Sequence, residues 1–118
     1  METIENNAAC IIKRINELSG ESPGKKVVQK IIYLMIEKGI SLRYNYGLHF
    51  YGIYSASLNA AINFLHADGV ISIDYSGNSH KLKINDDVSI ISVGLTKKQE
   101  ADIDNVINNF ISMKPSDL

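Results

Sequence analysis

The span from Gly24 to Gly39 limits what this chain can fold into more than any other. Between the two glycines run Lys25-Lys26-Val27-Val28-Gln29-Lys30-Ile31-Ile32-Tyr33-Leu34-Met35-Ile36-Glu37-Lys38. At 100° per residue, the seven aliphatic side chains from Val27 to Ile36 sweep an arc of roughly 200°. One neighbour cannot cover so wide an arc, so the spacing predicts a central helix touched from at least two sides. Lys26, Lys30, Tyr33 and Glu37 share the remaining face, which is expected to meet water.

The flanking sequence supplies further helices. Ile4, Ala8, Ile11, Ile12, Ile15 and Leu18 recur at i, i+3 and i+4, predicting a helix from Thr3 to Leu18 that stops at Gly20. Lys13, Arg14, Asn16 and Glu17 fall off its stripe and read as solvated. Ser55 is an N-cap for a helix over Ala56–Ala67, whose buried stripe is Leu58, Ala61, Ile62 and Leu65 and whose stop is Asp68-Gly69. Thr96 and Gln99 have the spacing of a capping box, opening a last helix with Ile103, Val106, Ile107, Phe110 and Ile111 on its apolar face. Asp102 and Asp104 lie on its polar side.

Strand patterns lie between these helices. Leu42, Tyr44, Tyr46, Leu48 and Phe50 alternate with Arg43, Asn45, Gly47, His49 and Tyr51, the period of a half-buried strand. Gly52-Ile53-Tyr54 reads as a turn. Val70–Asp74 and Lys81–Ile84 read as a hairpin around Ser76-Gly77-Asn78. Val88–Gly94 fits either a short strand or an apolar connector.

The length, 118 residues, suits one domain spanning 1–118. The order of elements predicts an α+β, winged-helix-like fold: helices around a small antiparallel sheet, with flanking N- and C-terminal helices. In this reading the strand near Phe50 pairs with the hairpin, and the first and last helices cover the central one. One helix of the usual set is missing or shortened, with Gly52–Tyr54 as its remnant.

Gln29-Lys30-Ile31-Ile32-Tyr33-Leu34, Tyr51-Gly52-Ile53-Tyr54-Ser55 and Leu65-His66-Ala67-Asp68-Gly69-Val70-Ile71 resemble the YwgA-like proteins. More distantly they are similar to the SocA-like, Panacea-type antitoxin domain. The likeness covers about residues 25 to 75 and departs at Ile53, where the family usually has proline. It implies a winged-helix-like fold and, through the antitoxin domain, neutralisation of a partner protein.

Motifs for chemistry are sparse. Gly20 to Lys26 fails as a phosphate loop: its glycines are one residue too close, Lys26 stands where Ser or Thr belongs, and a helix precedes it. His49, His66, His80 and Cys10 lack metal-ligand spacing, and Ser55 and Ser57 lack a nucleophile context. The expectation is a non-enzymatic protein without cofactor. An acidic Met1–Glu5, a single cysteine and no apolar run near about 20 residues fit a cytoplasmic chain off the membrane.

Two binding classes remain. If the hairpin is a wing, the preceding helix offers Ser57, Asn59, Asn63 and His66 to duplex DNA, while Lys25, Lys26, Lys81 and Lys83 offer charge to phosphates. Against this, Ala56–Ala67 holds no Lys or Arg, and the net charge is −1. The favoured expectation is therefore a regulatory or interaction module that binds a protein partner, antitoxin-like or as a homodimer. Tyr33, Tyr51, Tyr54 and Tyr75 are candidate anchors.

Overall fold

In a computed structural model of the chain, residues 3–49, 52–85 and 96–112 are described. Among the described residues, four helices carry most of the chain: α1 (Thr3–Ser19), α2 (Lys25–Glu37), α3 (Ala56–Ala67) and α4 (Lys97–Ser112). Two antiparallel hairpins accompany them, β1 (Gly47–His49) with β2 (Gly52–Tyr54), and β3 (Ile71–Asp74) with β4 (Lys81–Ile84). The fold is α+β, with α1 and α4 flanking the middle of the chain.

The core forms where the helical stripes meet. Ile11, Ile12 and Ile15 of α1, Val28, Ile31, Ile32 and Met35 of α2, Leu58, Ile62 and Leu65 of α3, and Ile103 and Ile107 of α4 are all buried. Ile71 and Leu82 close the core from the inner face of β3–β4. Burying each large aliphatic side chain contributes about 1.5–3 kcal/mol, which chain entropy largely offsets. As the wheel predicts, the remaining face of α2 is open at Lys26, Lys30 and Glu37 and half-buried at Tyr33.

The sheet differs from expectation, for a local reason. Residues 41–46 form no regular structure, although Tyr44 is buried and Leu42 and Tyr46 are half-buried. The Tyr44 hydroxyl donates to the Ile4 carbonyl and the Tyr46 hydroxyl to the Gln29 carbonyl, the latter at 2.9 Å. The alternation thus records an extended segment pinned by its tyrosines to α1 and α2, without a ladder partner. Gly52–Tyr54, expected as a turn or helix remnant, is the strand β2. It pairs with β1, setting Leu48 opposite Ile53.

The β3–β4 hairpin takes its third edge from elsewhere. Gly24 bridges Lys81, Leu82 N–H donates to the Pro23 carbonyl at 2.8 Å, and Lys25 N–H donates to the His80 carbonyl at 3.0 Å. The order is therefore α1, a one-residue edge, α2, α3 and a hairpin, which is winged-helix-like with no helix missing; β1–β2 is inserted before α3. The last helix covers the central one as expected, but the first does not. The backbone of α4 approaches α2 and α1, whereas α1 runs close to α3 and β4. The segment Val88–Gly94 lies outside the described residues.

Candidate functional site

The placement of α3 is fixed at both ends. At its start Ser55 Oγ accepts the Leu58 N–H at 3.1 Å, the expected cap. The buried Gln29 carboxamide grips the same residue twice, accepting from Ser55 N–H and donating to Ser55 C=O, each at 2.9 Å. At its end Gly69 takes φ 79°, a left-handed angle that costs glycine little, and Val70 N–H returns to the Leu65 carbonyl at 2.9 Å. Asn85 then seals the corner, donating to the Gly69 and Val70 carbonyls at 2.7 and 3.0 Å and accepting from Ser72 Oγ at 2.6 Å.

Held this way, α3 buries Leu58, Ala61, Ile62 and Leu65 and presents Ala56, Ala60 and Ala67 outward. Helical geometry puts those three alanines within about 40° of one another. Phe64 flanks them on one side, 44% exposed; Asn63 and His66 flank them on the other, both exposed. No Lys, Arg, Asp or Glu lies between Ala56 and Ala67, though Asp68 stands exposed just beyond. This surface is an apolar floor with one aromatic projection and a polar rim.

Of the predicted contact residues on α3, Asn63 and His66 are open and Asn59 is half-buried. Ser57 is engaged internally: its Oγ accepts the Asn45 N–H at 3.1 Å and shares a hydrogen bond with Ser55 Oγ at 3.0 Å. It ties residues 41–46 to α3.

The predicted cations gather at a different place. Lys81 and Lys83 alternate with buried Leu82 and so share the outer face of β4, opposite Asp74 and Ser72. Lys26 is exposed and Lys25 half-buried, and the Gly24–Lys81 bridge sets both beside the start of β4. Asp74 accepts the Ser76 N–H at 2.9 Å; hydrogen bonding to Ser76, with a smaller pull from Lys81, holds its carboxyl below the usual range. Four strand residues separate this end of the hairpin from its base at α3, about 10 Å. Lys25, Lys26 and Lys81 therefore lie toward the end of the hairpin away from α3, while Lys83, opposite Ser72, lies nearer its base.

Two features escaped the sequence reading. Gln29 sits inside the apolar arc of α2, where a polar side chain needs a buried partner, but nothing in its spacing names Ser55. Phe64 and its alanine neighbours fall off the α3 stripe, so the signal for an apolar outer face was present. Among the described residues, no group of three or more His, Cys, Asp and Glu could hold a metal ion, and no helix is long and apolar enough to cross a membrane. No family model, curated protein or solved structure matches the chain.

Proposed function

We propose that the protein is a non-enzymatic interaction module of the cytoplasm that engages a protein partner, or a second copy of itself, through the outer face of α3. The carrying observation is the uncharged surface of Ala56, Ala60, Ala67 and Phe64, with Phe64 44% exposed. Alanines at helical spacing let another backbone come close, and an aromatic beside them is the residue type that most often anchors an interface. Phosphates would find no cation there to replace their counterions, which disfavours α3 as a reader of duplex DNA.

Because Phe64 and Ala60 are exposed, Phe64→Glu and Ala60→Glu are expected to leave the thermal midpoint nearly unchanged. Both should abolish assembly, read by sedimentation velocity on the purified chain and on the complex isolated under native conditions. A chain that stays monomeric at every concentration, and whose native complex survives both substitutions, would refute the proposal.

A further inference from the structure

From the juxtaposition of Lys25 and Lys26 with Lys81 and Lys83, we infer that the edge where residues 23–25 meet β4 is a second binding surface, for the phosphate backbone of duplex DNA. It is independent of the α3 face. The bridge between Gly24 and Lys81 and the two flanking hydrogen bonds fix one lysine pair against the other. Among the described residues the ion pairs fall on Arg14, and none engages these four lysines. Lys81 is offset in part by Asp74 across the hairpin.

Cations grouped along one edge suit a polyanion. Two residues along β4 separate Lys81 from Lys83 by about 6.8 Å, so both side chains can reach neighbouring phosphates of one strand. An acidic peptide would have to be ordered to match the array, at an entropic cost that a duplex does not incur. Base edges are not read here. The contact is sequence-independent, weak and salt-dependent, with a dissociation constant of about 10⁻⁴–10⁻⁶ M at physiological salt.

Fluorescence anisotropy with labelled duplexes of unrelated sequence tests this on the full chain. The wild type is expected to bind each duplex alike, with a slope of log K against log salt of about −3 to −4, near −0.9 per lysine engaged. Lys81→Ala and Lys26→Ala should each flatten the slope by about one, and replacing all four lysines should abolish binding with the thermal midpoint unchanged. Lys38→Ala, at the far end of α2 about 20 Å away, should change neither affinity nor slope. Phe64→Glu should bind DNA like the wild type, so failure of the α3 reading and failure of this one are separable. The inference is overturned by no binding at low salt, by binding that survives the fourfold substitution, by equal or tighter binding to an RNA duplex or to polyglutamate, or by a sequence preference lost on Asn63→Ala.

Discussion

Gln29 uses both ends of its carboxamide on one backbone unit, and that makes it the most informative single residue to change. Ser55 is fully buried, so with Gln29→Leu its N–H loses its partner without gaining water, while its C=O keeps only the bond from Asn59 N–H at 3.1 Å. The expected loss is about 1–3 kcal/mol by urea denaturation. Gln29→Glu makes a sharper test. At neutral pH a carboxylate still accepts from Ser55 N–H but sets its second oxygen against the Ser55 carbonyl. Its folded pKa is then raised, so stability is intact below the unfolded value of about 4.3 and is lost as pH rises through the folded value. A variant that is weak at pH 7 and recovers toward wild type in mild acid is the expected pattern; equal weakness at both would mean that the amide pairing is not the cause. Tyr44 gives the opposite end of the scale. Burial, then its neighbours Tyr46 and Glu5, push its hydroxyl well above the usual 10.0. Its contribution is therefore complete below pH 10 and declines above it, as the unfolded chain ionises first. Tyr44→Phe should cost about 1 kcal/mol near neutrality, by losing the bond to the Ile4 carbonyl, and should lessen the alkaline decline.

At the scale of elements, the helices were legible because each carries two agreeing signals, a 3.6-residue stripe and a chemical stop or start. The clearest is at α4, where Thr96 N–H donates to Gln99 Oε1 at 2.9 Å and Gln99 N–H to Thr96 Oγ1 at 3.1 Å, the reciprocal pair that the spacing predicts. Thr96→Ala should lower stability by about 1 kcal/mol. The side of α1 read as solvated was less legible. Arg14 holds Asp104 of α4 in a bidentate pair, both bonds 2.8 Å, and nothing local to either helix announces a partner ninety residues away. With side chains 42% and 32% exposed, that pair should show a double-mutant coupling of about 0.5–1 kcal/mol that weakens with salt. A coupling that salt leaves untouched would count against its being a screened surface pair. The strand reading failed where period two was taken for a ladder: residues 42–46 alternate because tyrosines at every second position reach the helices, and a sequence cannot distinguish that from cross-strand pairing.

For the whole molecule, the tie that matters most is among the shortest in sequence terms. A single residue, Gly24, completes the sheet, and no pattern of one residue can be read as a strand; the third edge was therefore assigned to the longer alternating segment. Its position explains why glycine suits it. A Cβ there would come within 3.2 Å of Ser79 Cβ, tighter than most real contacts, so Ser79 would have to give by a few tenths of an ångström. The two hairpins are consequently unequal in support. The β3–β4 pair is joined to the 23–25 edge, lies close to α1 and α3, and buries Ile71 and Leu82, whereas the closest backbone neighbour of β1–β2 is α2. Local opening follows such inequality, since a unit that can separate while leaving the core intact exchanges its amides without global unfolding. Native-state hydrogen exchange should therefore find the Leu82 amide, bonded to Pro23, and the Lys25 amide, bonded to His80, at least about tenfold slower than the amides paired between Gly47–His49 and Gly52–Tyr54. Gly24→Val should narrow that gap by speeding Leu82 and Lys25 alone. If instead both hairpins exchanged together, at the rate of the core helices, the molecule would open as one unit, and the Gly24 edge would be an incidental contact with no part in holding the lysine surface together.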